Sequence, residues 1–377
     1  MDFVDEPDRR IAKLSRRSYF AAVATFVLLL ICALVPLPYV AEYPGPTVDV
    51  LSEYDGHELI TVDKPVDTGG PLRMTTVSVA GVPGTRMLAA TLTQALLDPD
   101  VSIMPREALF PENQTEEENR QISAAQMNSS QENASIAALE SMGREVKVDL
   151  LVAGMTEGSS AAEVLQEDDV ITSIQVGDES AVPVQSYKAL IGVLSKVPPK
   201  TDVTLTVKRA GQEIPVTVTT IQPPAPAPGE DARTGSLLGI FVYSRPTEDL
   251  GVEFGVGDRI GGPSAGLMFA LGIIDKLTPG PLAGNHDVAG TGTIDVDGRV
   301  GPIGGIRQKM VGAKRDGARY FLIPAANCPE AVGHVPSGMQ GIKVDNLDGA
   351  LAAVKSISQG DTANLPQCPA GTAAGQN

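Results

Sequence analysis

Four side chains in this sequence have the type and setting for peptide-bond chemistry: Ser264, His286, Lys309 and Lys314. Ser264 lies in GGPSAG, Gly261 to Gly266, directly ahead of the apolar run LMFALGIIDKL. Pro263 suits entry into a helix, and flanking glycines such as Gly262 let a substrate backbone approach closely. A serine there can cap the helix, bind a phosphate or attack a carbonyl. A phosphate loop needs GxxxxGK[ST], and GGPSAG supplies neither the lysine nor the hydroxyl that follows it. For attack, the unpaired N–H groups of the helix start, around Ser264 and Ala265, would hold the oxyanion.

A serine nucleophile needs a base. His286 in AGNHDVAG has Asp287 beside it, but sequence neighbours do not set up the geometry of a Ser-His-acid triad. A lysine serves if burial keeps it neutral. On a helix starting near Ile306, GGIRQKMVGAKRDGA puts Ile306, Met310 and Ala313 on the apolar face. Lys309 borders one side of that face and Lys314 the other, so periodicity does not choose between them.

The elements that must position these residues begin at a membrane signal. Between Arg17 and Glu42, 24 residues carry no charge; as a helix they would reach roughly 36 Å, against a hydrocarbon core of roughly 30 Å. Pro36 and Pro38 shorten that helix, and Tyr19 and Tyr39 suit the two interfaces. Arg9, Arg10, Lys13, Arg16 and Arg17 precede it, which predicts a cytoplasmic segment 1–17, a transmembrane helix 18–41 and extracytoplasmic domains after it. The competing reading is a cleaved signal peptide, whose cut after Ala41 would place Tyr39 where a small residue is needed.

The net charge of −17, with no basic stripe, excludes a nucleic-acid partner. Three histidines without HExxH or CxxC give no basis for a metal site, and no cofactor is implied. Cys32 lies in the apolar run. Cys328 and Cys368 are enough for one disulfide in an oxidising compartment, and two unpaired thiols are the alternative.

Residues 42–145 read as a β/helical region: alternating strands over Leu51 to Val82, then one or two helices opened by the Thr115/Glu118 capping box. The acids and amides of that helical stretch read as a solvated face. Residues 146–221 run strand, short helix, strand, helix and a strand pair around Ala210-Gly211. In EGSSAAEVLQEDDVITSI and VTLTVKRAGQEIPVTV this order resembles a PDZ domain. The resemblance implies a groove that takes an extended peptide by strand addition, although a Gly-Leu-Gly-Phe type carboxylate loop is not visible. A Pro-rich linker, 222–235, precedes the last domain, 236–358, and a tail, 359–377, reads as disordered.

GGPSAG followed by AGTGTIDVDGRVGPIGGIRQKMVGAKRDGARYFLIP resembles the proteolytic domain of Lon-type serine proteases (endopeptidase La), from about Leu238 to Leu351. The whole chain resembles the membrane-anchored PDZ–Lon proteins of bacteria, an α+β architecture. By position, the resemblance makes Ser264 the nucleophile, Lys309 the general base and Thr291 the residue that holds the lysine. Gly262 departs from the Asp common in the family, and Thr293 from an acid. The family's ATPase module does not occur in these residues, so ATP-driven unfolding is not assigned. Unstructured polypeptides or membrane-protein segments are the implied substrates, and rings in the family imply a homo-oligomer. The alternative is a peptide-binding scaffold whose protease domain is inactive or cleaves only itself.

Overall fold

The computed structural model describes residues 16–111, 114–156, 158–223, 234–257 and 260–369. Residues 1–15, the centre of the Pro-rich linker (224–233) and the last eight residues of the tail lie outside them. The principal elements begin with helix α1 (Arg16–Ala33) and strands β1 (Pro36–Leu37), β2 (Tyr39–Asp49), β3 (Ile60–Val62), β4 (Leu72–Ala80) and β5 (Met87–Leu88). Helix α2 (Ala89–Ala95), β6 (Ser102–Pro105) and helix α3 (Glu116–Ser141) follow. A middle block holds β7 (Val148–Met155), β8 (Val170–Val176), α4 (Tyr187–Leu194), β9 (Asp202–Arg209), β10 (Gln212–Thr219) and β11 (Ile240–Pro246). The last block holds β12 (Val252–Phe254), α5 (Gly266–Leu277), β13 (Val288–Gly290), β14 (Thr293–Ile294) and β15 (Val300–Gly301). It ends with α6 (Ile306–Arg315), β16 (Tyr320–Pro324), β17 (Gln340–Val344) and α7 (Leu347–Ser358).

The chain forms two compact units, 1–42 with 79–116, and 43–78 with 117–377. In the first, α1 has 18 residues, a length of roughly 27 Å. The helix stops at Ala33, and the chain turns extended at Pro36 into β1, which pairs with β5. This corrects the expected span 18–41: Pro36 and Pro38 cannot continue a helix, and Val40 and Ala41 are buried in β2, which pairs with β6 through Tyr39–Glu42. Among the described residues no helix is long and apolar enough to cross a membrane. The side chains of Phe20, Phe26, Leu28 and Leu29 on α1 are exposed.

The second unit is built on a sheet in the order β17-β16-β13-β4-β2, with β13 parallel to both β4 and β16, and β16 parallel to β17. Helix α5 is buried on every face, as the unbroken apolar run Gly266–Ile274 requires, and Asp275 and Lys276 at its end are buried with it. Phe269 on α5 packs with Leu59, Ile60, Leu72 and Met74, and its ring meets Phe254 at 5.1 Å. The expected boundary of the last domain at Ser236 is therefore corrected: β2, β3 and β4, from the region assigned to 42–145, supply part of its sheet and core. Sequence distance hid this, because β3 pairs with β12 across nearly 200 residues of chain.

The middle block is an antiparallel sheet in the order β10-β9-β8-β7-β11. Its last member, β11, lies beyond the linker and pairs with β7 from Ile240↔Met155 to Pro246↔Val148. The unit expected to close at Ile221 thus takes its edge strand from the segment assigned to the next domain, and the chain rejoins the C-terminal core at β12. Helix α4 starts as the sequence predicts, with Ser186 accepting a hydrogen bond from the Ala189 amide. The tail also departs from expectation over 359–369. Leu365 is buried, the Lys343 amide donates to Pro366 O at 2.9 Å, and Cys368 forms a disulfide with Cys328. One apolar anchor and one covalent bond suffice to order a polar segment.

Candidate active site

The serine turn depends on one left-handed residue. Gly262 has φ +85°, and a Cβ there would meet nothing within 4 Å, so the backbone conformation and not space demands glycine. Pro263 then leads into α5, whose N-cap is Ala265, not Ser264. The Ser264 hydroxyl is therefore not spent as a helix cap, and it takes no hydrogen bond among the described residues. The amides of Ser264 and Ala265 likewise donate to no residue among those described. Two donors at a helix start beside a half-buried serine can stabilise an oxyanion.

Thr291 joins serine and lysine. The Ser264 carbonyl accepts hydrogen bonds from the Gly292 amide at 2.9 Å and from Thr291 Oγ1 at 3.1 Å. Having given its one proton to Ser264, the Thr291 hydroxyl accepts from Lys309 Nζ at 3.1 Å. Thr291 is fully buried and Lys309 is 2% exposed, which is the burial that a lysine base requires.

Several contacts hold α6 so that Lys309 faces inward. Gly305, in the left-handed region at φ 68°, opens the helix, and the Lys309 amide donates to its carbonyl at 3.0 Å. Ile303 and Asn327 exchange two hydrogen bonds, at 2.9 and 2.8 Å, in the loop before it. Ile306, Met310 and Ala313 pack with Phe321 in a core of their own. At the far end, Thr47 on β2 donates through its amide and hydroxyl to Asp316 Oδ2, both at 2.9 Å. Desolvation opposes ionisation of Asp316, yet hydrogen bonds from Arg315 and Thr47 hold its carboxyl below the usual range. Lys314, by contrast, is half-buried and its Nζ lies beside Gly338. The two lysines that periodicity left equivalent have different surroundings.

His286 has no place in this arrangement. Asp287 binds Arg73 Nε with both oxygens, at 2.8 and 2.9 Å, and this hydrogen bonding raises the Arg73 pKa. The His286 ring stands edge-on to Tyr320, and no hydrogen bond among the described residues joins it to Ser264.

The acids and amides of α3 are largely exposed, among them Glu117, Glu118, Gln121, Gln126 and Asn128, while another face of the same helix braces the serine turn. On α3, Ser123 O accepts from the Gly262 amide at 3.0 Å, and Ser130 Oγ donates to Pro263 O at 3.0 Å. Asn133 Nδ2 donates to Ile294 O at 3.2 Å. The fit is close: a Cβ on Gly266 would stand 2.8 Å from Ile294 Cγ2 and 2.9 Å from Ser130 Oγ. Met127, Ser130, Ala134, Ala137 and Ala138 follow helical spacing, a signal that hydropathy misses because most of these residues are small or polar.

Residues 258–354, which contain Ser264, Thr291 and Lys309, match the Lon protease (S16) C-terminal proteolytic domain. Lon protease 2 of Thermus thermophilus is 44% identical over 69 residues, 18% of this chain and 8% of that protein. The Lon protease of Nitratidesulfovibrio vulgaris is 36% identical over 113 residues, 28% of this chain and 14% of its own length. The chain therefore spans a small part of these relatives. Among solved structures, the PDZ domain of an SdrC-like protein from Listeria monocytogenes is 19% identical, with a TM-score of 0.20 over 25% of this chain and 86% of that one. A likeness at that score carries no argument.

Proposed function

From a Lon-type proteolytic domain at residues 258–354, we propose that this chain is a serine endopeptidase. Ser264 Oγ attacks a peptide carbonyl while Lys309 Nζ takes its proton. The amides of Ser264 and Ala265 hold the oxyanion, and the proton passes from Lys309 to the leaving amine. Water then hydrolyses the acyl-enzyme, again through Lys309. Thr291 positions the lysine through its hydrogen bond with Nζ and neither forms nor breaks a covalent bond. The observation that carries this reading is the hydrogen-bonded path from buried Lys309 through Thr291 to the Ser264 carbonyl. A fluorophosphonate probe should label the wild type at Ser264 and leave Ser264→Ala unlabelled. A folded wild type that resists the probe would favour the scaffold reading instead.

The chain works at a membrane, held by α1, with the middle sheet capturing unstructured segments by strand addition at β11. Support comes from the exposed Phe and Leu side chains of α1 and the basic residues that precede it in sequence. The protein should stay with the membrane pellet through an alkaline carbonate wash and be released by detergent. Recovery in the soluble fraction after the wash would remove the anchor.

A further inference from the structure

Apart from the serine turn, the second unit has a cleft of about 930 Å³, and neither Ser264 nor Lys309 lines it. One wall is α4, which presents Lys188, Ile191, Gly192 and Ser195 at the i, i+3, i+4, i+7 spacing of a single helix face. Leu237, at the head of the edge strand β11, also lines it. The facing wall is the β14–β15 hairpin, Thr293 to Gly301, with the turn Asp345 to Asp348.

That hairpin links this cleft to the site. It leaves Thr291 by way of Gly292, and its Ile294 stands against Gly266 at the serine turn. Its tip residue Val296 packs on the core of the middle sheet. A polypeptide lying along the hairpin would therefore touch the capture unit while a neighbouring stretch reaches Ser264.

The lining has a sign. Glu140, Asp295, Asp297 and Asp348, with Asp345 ion-paired to Lys343 at 3.2 Å, outnumber the lining cations Lys188 and Arg299. Burial pushes the Glu140 carboxyl up, and Asp297 pushes it in the same direction against the pull of Lys188. An excess of carboxylates in a concave wall concentrates cationic side chains.

We propose that this cleft holds an extended segment of the substrate polypeptide bearing lysine or arginine side chains, next to the segment that is cut. The proposal rests on the protease reading above, and its test is independent of turnover. Full-length Ser264→Ala would be titrated with three fluorescent peptides carrying Lys, Gln or Glu at alternate positions of one scaffold. The Lys peptide should bind about tenfold more tightly than the Glu peptide, and the contrast should shrink as salt rises.

Asp297→Asn with Asp348→Asn should erase the contrast. Both side chains are exposed, so the fold should survive, whereas Asp295 is left intact because its Oδ1 builds the hairpin turn through the Asp297 and Arg299 amides. If the double variant fails to fold, Lys188→Glu carries the test by widening the contrast. Equal affinity for all three peptides, or a contrast that neither variant moves, overturns the proposal. Probe labelling of the wild type without any contrast would sink the cleft alone. A contrast without labelling would sink the protease reading and leave the binding site.

Discussion

Replacing Lys309 with methionine should lower kcat/KM for peptide cleavage by about a thousandfold while the fold is retained, within the range for loss of a positioned general base. The side chain is buried, so a partner of similar length without charge fits the same space better than a polar one. Neighbours Ile306 and Met310 already make that face of α6 apolar. Thr291 would lose the proton donated by Lys309 but keep its own bond to the Ser264 carbonyl, so the serine turn should remain set. On the proposed mechanism, what disappears is the group that takes the Oγ proton. Circular dichroism and the thermal midpoint would report the fold, and cleavage of an unstructured polypeptide would report the chemistry. Lys314→Met and His286→Ala serve as controls, because one side chain lies beside Gly338 and the other against Tyr320. Normal turnover in Lys309→Met together with its loss in His286→Ala would move the base to the histidine.

The pieces of this site that the sequence made legible were those contained in continuous segments. GGPSAG showed a helix entry with a serine and glycines, and GGIRQK showed a helix with a lysine at its apolar border. Choosing Lys309 over Lys314 needed the family pattern, because a helix face is wide enough for both. In the structure the two differ in depth: Lys309 is buried and bonded to Thr291, whereas Lys314 is half-buried. Gly262 shows a different limit. At φ +85° a side chain would be strained, so glycine and this form of the turn belong together, and only the backbone conformation reveals that.

Parts built from distant segments were not legible. Strand β4 lies beside β13, with β2 beyond it, only because the sheet order is non-local, and no period in residues 43–78 announces which neighbour they will have. The edge strand β11 escaped for the same reason, lying on the far side of the linker from the sheet it completes. On helix α3 the exposed acids and amides were legible but the bracing face was not. That face is mostly serine and alanine, which bury little apolar area but permit close approach to the glycines of the serine turn.

Cys368→Ser should lower the stability of the second unit by up to about 4 kcal/mol, from the loop-closure entropy released in the unfolded chain. The bond to Cys328 spans a sequence separation of 40. Cys328 shares its core with Ile306, Met310 and Phe321, so the tail is tied to the same cluster that seats the lysine helix. Loss of the bond should therefore lower the denaturant midpoint and also the fraction of molecules that a serine-directed probe can label near that midpoint. Protein made in a reducing cytosol should behave like the variant, whereas protein exported to an oxidising space should not. The compartment argument thus becomes measurable: wild-type protein isolated from its native cells with thiols blocked at lysis should run with the bond formed on non-reducing gels. Two free thiols in that material would remove the oxidising location, and an unchanged midpoint for Cys368→Ser would remove the stabilising role of the bond.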